Sequence, residues 1–202
     1  MSSKENNKSA LLPPLESSNV VVWVAVSILL ITVLFLTAAP FADLLLGPSE
    51  FALPGAAHGI LATVGMIVGT ATVYLGWRLF IGEKRTFGDL RILAAVSSVL
   101  AAVTIVTGNW IYIAYRGPGG PREYFKSVIP EVHEIFFEFK EFIALFTLPI
   151  AVATTYVLWS YRETLLADTR LRTGVGIMIA TAWAALMITF VLGASITKLM
   201  SV

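Results

Sequence analysis

The sequence predicts an all-α integral membrane protein. It reads as one bundle of five transmembrane helices, with the N-terminus cytoplasmic and the C-terminus outside. Three observations predict this. Of 202 residues, 57% are hydrophobic and only 13% are charged, too apolar a balance for a domain whose surface meets water. The apolar residues fall into five runs, each reaching the ~20 residues a helix needs to cross a bilayer. The lysines and arginines between the runs are shared unequally between the two sides.

Taken in order, Met1 to Ser18 is polar, contains Pro13-Pro14 and reads as a flexible tail. Residues 19–202 read as a single transmembrane domain. The first run, roughly Val20 to Leu46, outruns the ~7–15 apolar residues of a signal peptide, and Pro40 disfavours a cut after Ala39. It is therefore expected to be a retained span. A short loop, Gly47 to Pro54, leads to the second span, roughly Ala56 to Trp77. A charged loop from Gly82 to Asp89 precedes the third, roughly Leu90 to Tyr115. The Gly/Pro-rich stretch RGPGGPREYFKS reads as a turn. The fourth span is Pro130 to Ser160, and Tyr161 to Arg172 links it to the fifth, roughly Gly174 to Leu199.

Orientation follows from the cations. Lys4, Lys8, Arg78, Lys84, Arg85, Arg91, Arg162, Arg170 and Arg172 fall on one side, and that side is expected to be cytoplasmic. Trp23, Trp77, Trp159 and Tyr161 would form the inner aromatic belt, with Trp110, Tyr112 and Tyr115 in the outer one. The expected location is the plasma membrane of a prokaryote. The net charge of +1 gives no reason to expect a nucleic-acid partner. The chain has no cysteine, which excludes thiolate metal sites, iron–sulfur clusters and c-type haem.

Chemistry is concentrated at the outer ends of two spans. The chain has two histidines; His58 opens the second span and His133 the fourth. Glu131, Glu134, Glu138 and Glu141 are spaced three, four and three apart, so on a regular helix they form one stripe. Like charges so placed repel, which calls for a cation, a basic partner or a proton. Below His58 the face reads Ala62, Gly65, Gly69, Thr72 and Gly76. Below His133 it reads Lys140, Ala144, Thr147, Ala151 and Thr154. Such small-residue stripes serve close helix contact, or they accept a flat ring under a ligating histidine. Asn109 in the third span reads as a bond to a neighbouring helix.

Two spans each topped by a histidine, with no CxxCH, resemble the helical-bundle b-type membrane cytochromes. The resemblance implies one haem b held between His58 and His133 near the outer face, as facing helices of a bundle can do. Gly65 and Gly69 would line the ring, and Lys140 and Arg116 would meet the propionates. Such a subunit would pass electrons within a larger complex of membrane subunits, to or from a quinone or a periplasmic carrier. Depth sets a condition. Counting ~20 residues from the inner boundary puts His58 near the outer boundary, but His133 about two turns higher, roughly 12 Å. Glu138 and Glu141 come out level with His58, so a non-haem transition metal on His58, Glu138 and Glu141 is an alternative. A magnesium-chlorin pigment on His58 is another. An accessory subunit without chemistry of its own, its glutamates docking a partner, is the alternative from a different class.

Overall fold

The computed structural model describes Val24, residues 26–30, Val33 and residues 51–199. The described residues are helical, with no strand. Four helices are long and apolar enough to cross a membrane, Leu53–Phe80, Phe87–Arg116, Val132–Ser160 and Thr169–Leu199. They coincide with four of the expected spans. The first expected span, Val20 to Leu46, lies largely outside the described residues.

Helix α1 (Ala52–Phe80) ends because Gly82 turns the chain. Gly82 sits at φ +95°, a conformation glycine reaches without steric cost. Its N–H donates to the Leu79 carbonyl and the Glu83 N–H to the Arg78 carbonyl, the pair of bonds that closes a glycine-terminated helix. Arg78 seals the corner through an ion pair to Glu83 and a 2.8 Å bond to the Tyr74 hydroxyl. Helix α2 (Phe87–Arg116) begins with Asp89 in its first turn and finishes on Arg116, both matched to the helix dipole. The glycine-rich turn after it is required sterically. A Cβ on Gly120 would lie 2.7 Å from the Tyr115 carbonyl oxygen.

Helix α3 (Pro121–Val128) is short, starts on proline and buries Pro121 and Phe125, four residues apart on one face. The next segment departs from the regular helix that the sequence suggests. Val132–Phe137 is a π-helical turn, in which the Glu138 N–H reaches back to the His133 carbonyl. It runs directly into α4 (Glu138–Ser160). A short α5 (Arg162–Ala167) and the long α6 (Thr169–Leu199) complete the chain.

The long helices form a four-membered ring. α1 packs on α2 and α6, and α4 packs on the same two, so α1 and α4 face each other diagonally. The larger core lies towards the arginine-rich end and joins Val68, Leu75 and Leu79 of α1 to Leu90 of α2, Leu158 of α4 and Val175 of α6. A second core at the histidine end joins Tyr115, Phe125 and Val132. Large apolar residues such as Val99 and Ile113 of α2, Leu145 of α4 and Ile177 of α6 point outward. That inside-out arrangement suits helices whose surroundings are lipid, where packing rather than water exclusion holds the bundle together.

Candidate functional site

The polar groups of the histidine end form two separate clusters. In the first, His58 of α1 leans on α2. Its Nδ1 donates to the Thr104 carbonyl at 3.1 Å and lies 3.4 Å from the Thr107 hydroxyl. A carbonyl only accepts, so the proton sits on Nδ1 and the lone pair on Nε2. The approach is possible because position 108 is glycine. A Cβ there would come 3.1 Å from His58 Cε1. Lys140 of α4 is within electrostatic range of this ring. Its stem runs over Gly193 of α6, and its ammonium lies 4.8 Å from the Phe137 ring centroid.

The second cluster surrounds His133, which is buried. Arg122 Nε donates to His133 Nε2 at 3.3 Å, so Nε2 carries the lone pair. Nδ1 then donates to the Tyr115 hydroxyl at 2.9 Å. Both ring nitrogens are used. Phe137 stacks on Tyr115 with centroids 4.5 Å apart, and Tyr112 stacks on both. Arg116 covers Tyr112, its Nη2 donating to the phenol at 2.6 Å.

The structure does not bring the two histidines together. Their contacts on α2 lie between Thr104 and Gly108 for one and at Tyr115 for the other. Those positions are seven to eleven residues apart, roughly 10–16 Å along the helix. Their own helices are diagonal rather than adjacent. One iron flanked by both imidazoles is not the arrangement of this structure. The expected propionate partners are likewise engaged elsewhere, Arg116 with Tyr112 and Lys140 with Phe137.

The small-residue stripes do meet. Gly65, Gly69 and Thr72 of α1 face Thr147, Ala151 and Thr154 of α4 across a central cavity of about 60 Å³. Thr104 and Trp183 are among the residues with which α2 and α6 close it. That is far below the ~300–1,000 Å³ of pockets that hold cofactor-sized ligands.

Glu131, Glu134 and Glu138 are exposed and Glu141 is partly buried, and the π-helical turn at Val132–Phe137 interrupts the regular spacing between them. Glu134 lies 3.9 Å from Lys126, and Glu138 lies 3.8 Å from His133 Nε2. Glu141 lies within electrostatic range of Lys140 and Arg116. Among the described residues, no three His, Asp or Glu side chains are grouped as a metal site. His58 is therefore not gathered with Glu138 and Glu141. Sequence reasoning missed Tyr115 and Arg122 as the partners of His133. Tyr115 reads as an interfacial aromatic, and nothing in the spacing of Arg122 reveals that α3 folds back over the π-helical turn.

The fold and these clusters define a helical membrane protein with a polar, aromatic histidine end. Comparison with protein-family models, with curated proteins and with solved structures gives no match.

Proposed function

We propose that this chain is an accessory subunit of a membrane complex, presenting an acidic, aromatic ledge to a basic partner. One observation carries the reading. Glu131, Glu134 and Glu138 are exposed beside exposed Phe136 and Phe139. Of the cations near them, Lys126 lies 3.9 Å from Glu134, Arg122 bonds to His133 and Arg116 gives one bond to Tyr112. Buried aromatic anchors flanked by charge are the usual core of a protein interface. The test is native electrophoresis of mildly solubilised membranes, with a photocrosslinker at position 134. The wild-type chain is expected in a larger assembly, crosslinked to a Lys/Arg-rich segment. Glu131→Gln with Glu134→Gln and Glu138→Gln should release it while the chain keeps a cooperative unfolding transition. Migration of the wild-type chain alone would refute the reading.

The finer topology belongs to the same proposal. Val24 and Ile28 are helical and pack on the larger core, which supports a fifth span within Val20 to Leu46. The Lys/Arg bias supports a cytoplasmic N-terminus and an outer C-terminus, and the prokaryotic plasma membrane stays part of the proposal.

A second reading keeps a cofactor at His58 alone. It is favoured by the Nδ1–H bond to Thr104, the outer contact that commonly orients a ligating imidazole and leaves Nε2 to bind. Haem would show a Soret band lost in His58→Ala but kept in His133→Ala. A chlorin would absorb in the red, and metal analysis would reveal a non-haem ion. A colourless, metal-free protein purified from its own membrane would refute it.

A further inference from the structure

Helix α2 carries an open groove of about 510 Å³ on its outward side, lined by Val106, Asn109, Trp110, Tyr112, Ile113 and Arg116. Val106 is 67% exposed and Ile113 75%, so the groove faces the surroundings of the bundle. All six lining residues belong to α2, so the groove is a shallow face of one helix along which an extended molecule can lie. Two polar groups stand out in it. Asn109 is exposed, and its amide makes no hydrogen bond among the described residues. It occupies an apolar helix, where an unpaired amide facing hydrocarbon is costly. Arg116 lies seven residues on, two turns along the same face and roughly 10 Å nearer the helix end. One of its N–H groups is used on the Tyr112 hydroxyl. The guanidinium has five in all, and the side chain is exposed.

We propose that this groove binds a phospholipid. Its phosphodiester sits on Arg116, a glycerol ester carbonyl accepts from the Asn109 amide, and an acyl chain lies over Val106 and Ile113. The order of groups along α2 matches the order along the lipid, with charge at the helix end, a neutral acceptor deeper and hydrocarbon beyond. Trp110 and Tyr112 sit between, where amphipathic rings meet the headgroup layer. Glu138 and Glu141 also act on Arg116 from the α4 side. They oppose a multiply charged anion, so the singly charged phosphodiester is the class that fits. The proposal rests on the membrane character of the bundle, and it shares only Glu138 with the ledge at the π-helical turn.

Native mass spectrometry of the delipidated chain in detergent tests it, with dioleoylphosphatidylglycerol and dioleoylglycerol as probes. These share their acyl chains and esters and differ in the phosphate. The phosphatidylglycerol adduct is expected to be retained more strongly. Arg116→Gln should weaken it roughly tenfold, the effect of losing one charge-assisted bond, and leave dioleoylglycerol unchanged. Asn109→Leu should weaken both, with a melting temperature no lower than wild type. Lys126→Gln removes an equal charge from α3 and should change neither. Equal retention of the two probes overturns the proposal, as does an equal loss in Lys126→Gln. An oligomer that becomes monomeric in Asn109→Leu would also overturn it, because a helix of a second copy would then occupy the groove.

Discussion

Gly108→Ala tests whether the close approach of His58 to α2 is built into the fold. Three magnitudes compete. Alanine in a helix interior is favoured over glycine by about 1 kcal/mol, so at an open position the change would stabilise. Here the new Cβ would lie 3.1 Å from His58 Cε1 and 3.4 Å from Nδ1. Overpacking of this kind costs about 1–3 kcal/mol. The ring relieves it by withdrawing, which lengthens the 3.1 Å bond to Thr104 and loses a further ~1 kcal/mol. The net expectation is a loss of about 1–3 kcal/mol. Unfolding in mixed micelles against increasing dodecyl sulfate measures it. The same substitution in a His58→Ala background has no ring to displace, so it should gain the ~1 kcal/mol of helix preference. The two sites should thus couple by about 2–4 kcal/mol, well above the error of additivity. A Gly108→Ala protein as stable as wild type, or strictly additive double mutants, would refute the reasoning.

Other outcomes follow from the same structure. Tyr115→Phe leaves the buried Nδ1–H of His133 without its 2.9 Å acceptor, and should cost about 1–3 kcal/mol in the same assay. Leu158→Ala opens the fully buried larger core and should cost about 2–5 kcal/mol. Single cysteines at Lys84 and Pro118, exposed in the turns at opposite ends of α2, should label from opposite sides of sealed vesicles. Labelling of both from one side would remove α2 as a span.

Helix existence was legible because twenty-residue apolar runs leave little else to form, and the four described spans differ from the sequence boundaries by only a few residues. The small-residue stripes were legible too. Gly65, Gly69, Thr72, Thr147, Ala151 and Thr154 do share one interior space. Their purpose was not legible, since small side chains admit a ring or admit a neighbouring helix equally well. Gly69 shows the second outcome, with Leu186 and Trp183 placed 3.3 Å from where its Cβ would be. The carboxylate stripe is legible only in part. Its spacing assumed a uniform helix, and the π-helical turn at Val132–Phe137 changes the register in its first half.

The depth of the histidines is the point on which sequence and structure speak most directly to each other. A count of residues from the inner boundary sets His133 about two turns above His58, roughly 12 Å. A bis-histidine site then needs tilt or a kink at Pro149 to remove the offset. α4 continues as a helix through Pro149, and the two histidines make separate contacts on α2. Above, α3 folds back so that Arg122 and Tyr115 take both nitrogens of His133. Below, Thr104 fixes one nitrogen of His58. The consequence is an asymmetry that composition alone hides. His133 is a buried tie between α2, α3 and the π-helical turn, and its loss should register first in stability. His58 keeps Nε2 as its remaining valence, so any ligand chemistry at this end should depend on His58→Ala and survive His133→Ala in whatever protein still folds.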